Sequence, residues 1–239
     1  MLEIKKLSKS YSKGKNAIDD INIDVKAGEI FGFIGHNGAG KTTTIKCVVG
    51  ILNFEQGEIT VNNHSVKKEP LQCKSDFAYI PDNPDIYDAL TGIQYLNFIA
   101  DIYRVSKDIR EERIKRYADA FEITENLGDL ISSYSHGMKQ KLALISAFVH
   151  EPKLLILDEP FVGLDPKASH ILKGFMKELC QQGGAIFFST HVLEVAEKLC
   201  DKIAIIKGGK IVASGFIDEV KGDGSLEEVF MELIEHKES

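Results

Sequence analysis

The chain has 239 residues, of which 44% are hydrophobic and 27% are charged, a composition typical of soluble globular proteins. A chain of this length buries roughly seven-tenths of its unfolded surface, so we expect one large domain or a core with a subdomain. The net charge of −7 argues against a nucleic-acid-binding protein, because phosphate backbones require a basic face. The four cysteines have no C-x-x-C or metal-ligand spacing, and we expect them to be reduced and buried.

Two observations bear on membranes and secretion. No eighteen consecutive residues are apolar, and the charged N-terminal residues are not accompanied by a signal-peptide core. We therefore expect a chain that neither spans a membrane nor is exported by itself.

The N-terminal region shows two short alternating patterns. Hydrophobic and polar residues alternate over residues 2–7 and 17–25, and a polar stretch that contains Gly14 separates these segments. The pattern predicts two antiparallel strands. Tyr11 lies in the polar stretch, where the sequence gives its ring no part in a core. It either stacks on a bound base or caps a sheet edge.

A glycine-rich loop follows, between a predicted strand and a predicted helix. Residues 29–34 form an apolar run too short for a helix, and residues 43–50 carry apolar side chains at helical spacing. In this context the spacing G-x-x-x-x-G-K-[ST] predicts a phosphate-binding loop, because glycines let backbone N–H groups surround phosphate oxygens. A glycine-rich turn that matches by chance is the alternative. The candidate residues are Gly35, His36, Asn37, Gly38, Ala39, Gly40, Lys41, Thr42 and Thr43.

After this loop the chain alternates between strand and helix patterns. Residues 57–61 and 77–80 predict strands, with a polar turn region up to residue 69 between them. Helical spacing over residues 92–103, about 110–121 and 138–150 predicts an all-helical lobe at about 83–150. Further along, the pattern predicts a buried strand at 153–157, a helix at 166–181, a strand at 185–189, a helix at 192–199 and a hairpin at 202–214. A tail helix at 225–235 is expected to serve in packing alone.

Two carboxylates come directly after the buried strand. Asp158 and Glu159 lie at the sheet edge where ligands bind in open α/β folds. We expect Asp158 to hold Mg²⁺ and Glu159 to accept a proton from, or to orient, the attacking water. Lys41 would contact the β- and γ-phosphates and Thr42 would place its hydroxyl on Mg²⁺, so the set predicts nucleoside triphosphate hydrolysis. Two acids at a solvated strand end are the alternative.

Three further segments resemble motifs of the ATP-binding cassette (ABC) proteins, the nucleotide-binding subunits of ABC transporters. Ser135-His136-Gly137-Met138-Lys139-Gln140 is similar to the family's signature loop, Gly163-Leu164-Asp165-Pro166 to its D-loop, and Ser189-Thr190-His191 to its switch histidine. They occur in the family's order around the phosphate loop and Asp158-Glu159, and the resemblance covers essentially the whole chain. Tyr11 lies where the family has its adenine-stacking aromatic residue.

The resemblance implies the fold class and the domain organisation. The fold is expected to be α/β, with a P-loop NTPase (RecA-like) core, an N-terminal antiparallel β subdomain and an inserted α-helical subdomain. Within a single ABC domain, residues 1–82 and 151–215 would form the core with its β subdomain. Residues 83–150 would form the helical subdomain that carries the signature loop, and residues 216–239 a C-terminal helical tail.

The resemblance also implies an ATP site that two subunits share. Family members form head-to-tail dimers, in which Ser135 and Gly137 of one subunit would cap the ATP bound by the phosphate loop of the other. Asp165 would link the two sites and His191 would contact the γ-phosphate. The expected cofactors are ATP and Mg²⁺. The expected partners are a second ABC cassette and an integral membrane permease, which would hold the chain on the cytoplasmic face of the membrane.

Two stretches bear on the kind of transporter and on its contact with the permease. Gly137-Met138-Lys139-Gln140 and residues 226–230 resemble the bacterial ABC-2-type exporter group. Residues 81–91 are the candidate docking surface for the permease, because they join the core to the helical lobe and have Asp82 near their start. Their candidate contact residues are Pro81, Pro84, Ile86, Tyr87 and Leu90. An ordinary loop that packs on its own lobe is the alternative.

Two positions depart from the family's pattern. His136 precedes Gly137 where the signature usually has two glycines, and Asp82 replaces the usual Gln of the Q-loop. We expect His136 to tolerate a positive φ, and Asp82 to offer a carboxylate oxygen to Mg²⁺.

Two other functions stay open as alternatives. One is a soluble ABC-type ATPase clamp, although the chain has neither the tandem cassettes nor the long coiled-coil insertion of such proteins. The other is a nucleotide-dependent regulatory module with negligible turnover, which the departures at Asp82 and His136 keep open. A phosphate-release assay would distinguish this module from an active ATPase.

Overall fold

The computed structural model of the protein describes residues 1–12 and 15–235, so Gly14 and the last four residues of the predicted tail lie outside it. The strands are β1 (Leu2–Ser12), β2 (Lys15–Val25), β3 (Ile30–Ile34), β4 (Gln56–Val61), β5 (His64–Ser65), β6 (Phe77–Ile80), β7 (Leu154–Asp158), β8 (Ala185–Thr190), β9 (Lys202–Lys207) and β10 (Lys210–Phe216). The helices are α1 (Lys41–Val48), α2 (Pro70–Asp76), α3 (Gly92–Ile102), α4 (Lys107–Phe121), α5 (His136–Val149), α6 (Pro166–Gln181), α7 (Leu193–Leu199), α8 (Ile217–Lys221) and α9 (Leu226–Glu235).

The larger sheet brings three loops of the chain to one edge. Its strand order is β10-β9-β3-β8-β7-β6, in which β10 is antiparallel to β9 and the neighbouring strands are otherwise parallel. Strands β3, β7 and β8 are buried along their whole length, as their apolar runs predict. In register, Asp158 lies beside Ser189, and Ile34 lies beside Thr190. The residues that follow these strands therefore meet at the same edge.

The smaller sheet is antiparallel, with the order β2-β1-β4-β5. Alternate residues of β1, such as Leu2 and Ile4, are fully buried, which agrees with the alternation in the sequence. The first two strands extend further than this alternation predicts, because backbone pairing continues where the side chains are polar. Tyr11 therefore lies on β1 rather than in a polar connection.

Helices α3, α4 and α5 form the helical lobe. Their buried faces include Leu96, Tyr117, Phe121 and Leu142, at the helical spacing that the sequence shows. Helix α3 begins with a capping box, in which Thr91 accepts a hydrogen bond from the Gln94 N–H and the Gln94 side chain accepts one from Thr91. In the described part of the chain, no helix is both long and apolar enough to cross a lipid bilayer.

Three short elements lie outside the predicted pattern: β5, α2 and α8. Each has seven residues or fewer, so none spans enough of a period to show in the sequence. Helix α2 begins at Pro70, a residue whose fixed φ suits the first helical position. These additions leave the predicted order of the main strands and helices unchanged.

Candidate functional site

The glycine-rich loop connects the end of β3 to the start of α1. Gly40, the residue before α1, has a φ of 116°, and a Cβ atom there would lie 2.7 Å from Ile18 Cγ2. Glycine alone satisfies both conditions. The loop and the N-terminus of α1 line a cleft of about 400 Å³. The partial positive charge of a helix N-terminus favours an anion in such a place.

The Lys41 ammonium is buried at the centre of this cleft. Lys41 Nζ donates hydrogen bonds to the carbonyl oxygens of Gly35 and His36, at 2.6 and 3.3 Å. The same nitrogen lies 3.2 Å from Glu159 Oε1. Glu159 Oε2 lies 2.9 Å from His191 Nδ1 and 3.3 Å from the backbone N–H that His191 donates to it. The structure thus brings three predicted site residues into one chain of contacts.

The backbone of Glu159 turns sharply at the end of β7. Its φ of 50° lies in the left-handed region, which costs a non-glycine residue on the order of 1 kcal/mol. The Glu159 N–H donates to the carbonyl oxygen and to the hydroxyl of Ser189, at 3.2 and 3.1 Å. This turn directs the carboxylate toward Lys41 and His191 instead of continuing the strand.

Asp158 is almost fully buried beside this turn. Its Oδ1 accepts a hydrogen bond from the Ser189 hydroxyl, whereas Oδ2 has no hydrogen-bond partner among the described residues. Burial raises the pKa of Asp158 above its usual value, and the hydrogen bond from Ser189 opposes that rise. A buried carboxylate oxygen without a partner is costly, and a bound cation would remove that cost.

Thr42 and Asp82 are the other predicted cation ligands, and both line the same cleft. Asp82 lies close enough to Asp158 for its charge to contribute to the raised pKa. Within residues 1–12 and 15–235, no three His, Cys, Asp or Glu side chains form a metal site by themselves. Mg²⁺ commonly takes one or two protein carboxylates and completes its coordination with water and phosphate oxygens, so this donor set fits Mg²⁺.

Tyr11 borders the cleft on the side of the smaller sheet. Its hydroxyl lies 3.2 Å from Thr43 Oγ1, and 63% of the residue is exposed. The hydrogen bond holds the ring beside the phosphate loop while the rest of the side chain stays open. This position permits the ring to stack on a base.

Ser135, Gly137 and Asp165 do not line this cleft. Ser135 precedes α5 and its hydroxyl accepts a hydrogen bond from the Met138 N–H at 3.3 Å. Asp165 precedes α6, accepts a hydrogen bond from the Ala168 N–H at 2.8 Å, and pairs with Lys141 Nζ at 3.0 Å. The predicted site residues therefore fall into two groups, one that lines or adjoins this cleft and one at the starts of α5 and α6.

The comparisons with known proteins agree with this geometry. A sequence-family model described as ABC transporter matches residues 18–162, which is more than half of the chain. The chain belongs to the ABC transporter family. The ABC-type transporter ATP-binding protein EcsA of Bacillus subtilis (strain 168) is 34% identical over 238 residues, which cover 98% of this chain and 96% of EcsA.

Solved ABC structures share the fold. A structure described as the ATP-binding subunit of an ABC transporter is 37% identical and has a TM-score of 0.94, covering 98% of this chain and 99% of its own. A dimeric post-hydrolysis structure of the ATP-binding cassette MJ0796, bound to ADP and Pi, is 21% identical and has a TM-score of 0.82. The match covers 91% of this chain and 99% of the MJ0796 chain. The predicted fold class is confirmed, and this ABC subunit is an ATP-binding ATPase of a transporter.

The ABC signature segment is the start of a helix rather than a loop. Helix α5 begins at His136, whose φ is not positive, so the expected tolerance of this residue for a positive φ is not called upon. Ser135 caps the helix, and the next residue takes the helical φ that any L-residue adopts. The His136 ring instead lies against Gly163, where a Cβ atom would come within 2.7 Å of His136 Cδ2.

Sequence reasoning missed two residues of this ABC site. The sequence indicates Ser189 only as part of the switch motif, yet its hydroxyl contacts both Asp158 and Glu159. Its place at a strand end beside Thr190-His191 is the sequence feature that indicates a role in the site. Phe230, on the tail helix α9, packs its ring against the His36 ring with centroids 5.0 Å apart. Helical spacing showed that Phe230 is buried, but not what covers it.

Proposed function

We propose that this ABC cassette hydrolyses ATP as a head-to-tail dimer and thereby drives an integral membrane permease. The division of the site residues carries this proposal. Lys41 and Glu159 converge on one cleft, whereas Ser135, Gly137 and Asp165 lie elsewhere, at the starts of α5 and α6. A second cassette, turned head to tail, would bring the second group to the nucleotide of the first.

Glu159 is the proposed general base and Lys41 the phosphate-binding cation. Lys41 Nζ contacts two loop carbonyls and Glu159, so the β- and γ-phosphates of ATP would compete with these oxygens for the ammonium. When the phosphates replace Glu159 as the partner of the Lys41 ammonium, Glu159 keeps its contact with His191 and can accept a proton from water. His191 would orient the carboxylate and reach the γ-phosphate.

The proposed Mg²⁺ ligands are Thr42, Asp82 and Asp158. When bound, the ion supplies charge neutralisation for the phosphates. Asp158 offers the buried oxygen Oδ2, which has no hydrogen-bond partner among the described residues. Asp82 offers an exposed carboxylate whose Oδ1 accepts only the N–H of its neighbour Asn83 among the described hydrogen bonds.

The dimer can be tested with a catalytic variant. We expect the Glu159→Gln chain to elute as a dimer with ATP and Mg²⁺ and as a monomer with ADP. Adding Ser135→Asp keeps an oxygen that can cap α5, but places a negative charge against the partner's γ-phosphate. We therefore expect this double variant to bind ATP and to remain a monomer.

Ser135→Thr in the same background is the matched control, because threonine keeps both the cap and the neutral hydroxyl. This control should dimerise with ATP. A dimer of the Ser135→Asp variant at parental yield would exclude Ser135 from the interface. Loss of ATP binding in that variant would place Ser135 in its own subunit's site.

The permease is proposed to dock at residues 81–91, which connect the core to the helical lobe. Asp82 lines the nucleotide cleft, whereas Pro81, Pro84 and Asp85 line a second cleft of about 220 Å³ that α3 and α5 complete. One short segment thus borders both clefts. A permease helix seated in the second cleft would respond directly to ATP and Mg²⁺ in the first. The proposed subdomains would move against each other at this segment; they are residues 1–82 with 151–215, and residues 83–150.

The exposed part of this surface differs from the expectation. Ile86 lines the second cleft but is only 8% exposed and packs in the core, so it offers the permease less surface than expected. Tyr87 is 60% exposed and meets Phe98, itself 42% exposed, edge to face with ring centroids 5.7 Å apart. Tyr87 also lies 6.4 Å, ring centroid to ring centroid, from Tyr95, which lines the second cleft, so the proposed contact for the permease extends from that cleft to Tyr87 and Phe98.

The docking site can be tested by co-isolation with membranes. We expect Tyr87→Asp to lower recovery of the chain with the permease on the order of tenfold, the scale of a central interface residue, while ATP binding stays at its parental level. Ile51→Asp is the matched control, because Ile51 is 59% exposed, follows α1 and does not line the second cleft. Parental recovery of the Tyr87→Asp chain would refute this surface.

We further propose that the transporter is an exporter and that the chain lies on the cytoplasmic face of the membrane through its permease. The support is the resemblance of residues 137–140 and 226–230 to ABC-2-type exporters. Deleting the permease should move the chain from the membrane fraction to the soluble fraction. Membrane recovery that survives the deletion would contradict this location.

A further inference from the structure

The C-terminal helix α9 reaches the phosphate loop. Phe230 is 5% exposed, and its ring lies 5.0 Å from the His36 ring, centroid to centroid, with 60° between the planes. His36 is itself exposed and lines the nucleotide cleft. A residue near the end of the chain is thus in contact with the second residue of the loop that borders this cleft.

His36 is a position where a small displacement matters. Its carbonyl oxygen accepts hydrogen bonds from the Ala39 N–H at 3.1 Å and from Lys41 Nζ at 3.3 Å. The far end of the loop is held through its backbone, because Ala39 accepts a hydrogen bond from the Gly209 N–H at 2.9 Å. Residues 36–38 are exposed, so side-chain packing holds them only where a neighbour covers them. Phe230 is such a neighbour for His36.

Helix α9 is also joined to the segment that carries His191. The Leu226 N–H donates a hydrogen bond to Glu197 Oε2 on α7 at 3.3 Å. Helix α7 begins two residues after His191. Near the other end of α9, the Leu233 carbonyl oxygen accepts a hydrogen bond from Lys207 Nζ at 3.3 Å, and Lys207 is the last residue of β9. The helix is therefore fixed against the same sheet edge as the nucleotide cleft.

We propose that Phe230 is a positioning residue for ATP binding, which fixes the shape of the phosphate loop through the His36 ring. The tail helix then sets the affinity for ATP in addition to packing on the core. This inference rests on the proposed role of residues 35–43 as the ATP site. Aromatic pairs of this geometry have a modest effect, so removing the ring should weaken ATP binding about two- to tenfold. None of the contacts of Lys41 or Glu159 described above involves Phe230, so kcat should stay within about twofold while KM rises.

Three variants of the full chain test this role. A fluorescent ATP analogue measures Kd, and phosphate release measures kcat and KM. Phe230→Ala should raise Kd and KM about two- to tenfold with kcat nearly unchanged, and Phe230→Tyr, which keeps the ring, should restore parental values. Leu226→Ala is the matched control, because Leu226 is fully buried on the same helix. Its backbone N–H donates a hydrogen bond to Glu197 on α7, not to the phosphate loop.

A double-mutant cycle tests whether the effect passes through His36. If Phe230 acts through the His36 ring, Phe230→Ala should add little to the Kd of His36→Ala. Full additivity of the two changes would overturn the inference, as would an equal loss of affinity in Leu226→Ala or parental binding in Phe230→Ala. Lys41→Ala separates this outcome from a failure of the proposed ATP site. If Lys41→Ala binds ATP with parental affinity, both the proposed ATP site and the role of Phe230 are overturned. If Lys41→Ala loses ATP binding while Phe230→Ala binds ATP with parental affinity, only the role of Phe230 is overturned.

Discussion

The two groups of site residues differ in how the chain holds them. The cleft group is formed by the phosphate loop, Asp158, Glu159 and His191. Lys41, Glu159 and His191 contact one another through their side chains, the Ser189 hydroxyl holds Asp158, and the Lys41 ammonium is buried. In the signature group, formed by Ser135, Gly137 and Asp165, the polar side chains cap their own helices, and Ser135 and Asp165 are exposed. This difference supports the proposal that the cleft group acts within its own chain, whereas the signature group meets the nucleotide of a second cassette. The predictions below test this contrast.

Lys41→Ala should have the largest effect. It removes the ammonium from the centre of the cleft group and leaves the mostly buried Glu159 carboxylate without that partner. Removing one partner of a buried charge pair between protein and ligand costs about 2–5 kcal/mol of binding free energy, so we expect ATP affinity in the isolated chain to fall by about a hundredfold or more once the phosphates lose the ammonium. Equilibrium binding measures this loss. Unchanged affinity would remove the basis of the contrast, because the cleft group would then not hold the nucleotide.

Glu159→Gln should leave ATP binding intact and slow hydrolysis by about 10² or more, the scale of losing a general base. The amide keeps the shape of the side chain, but it cannot accept the proton of the attacking water. Phosphate release under saturating ATP measures the rate. Hydrolysis at the parental rate would show that the base lies elsewhere.

Asp82→Gln should have a smaller effect, because Asp82 is exposed and only borders the cleft group. The change installs the family's usual side chain and removes a charge close to Asp158. We expect ATPase activity to survive, with the Mg²⁺ concentration for half-maximal rate shifted upward, because carboxylates suit Mg²⁺ better than amides do. Titration of Mg²⁺ measures the shift. If Asp82→Ala leaves the Mg²⁺ dependence unaltered, Asp82 is not a ligand.

His136→Gly should have the smallest effect and tests the signature group. The change restores the family's glycine and removes the ring that lies against Gly163. A glycine in a helix lowers the free energy of unfolding by about 0.5–1 kcal/mol, which urea denaturation would measure. ATPase activity should change by less than about threefold, since the N–H groups at the start of α5 remain. A tenfold loss of activity would mean that the imidazole itself contacts nucleotide.

Much of the fold could be predicted because its signals are local. The phosphate loop is specified by glycines and a lysine within eight residues, and Asp158-Glu159 by their place directly after a continuous apolar run. Helix α6 spans the predicted residues 166–181, where its helical spacing, its capping Asp165 and its first-turn proline agree. Central strands are recognisable because both of their faces are buried. The sequence by itself therefore determined the fold class, and it predicted the residues of the cleft group.

Only the tertiary structure decided which distant side chains meet. Ser189 contacts Asp158 because β7 and β8 pair in a register that neither strand contains in its own sequence. Ile86 turns into the core while Tyr87 stays exposed, and in an irregular segment no period indicates which side chain points inward. Phe230 meets His36 because α9 packs beside α7 and α8, a contact between residues far apart in the chain that local patterns do not encode. Side-chain pairs of this kind depend on how whole elements dock, so they follow from the packed structure alone.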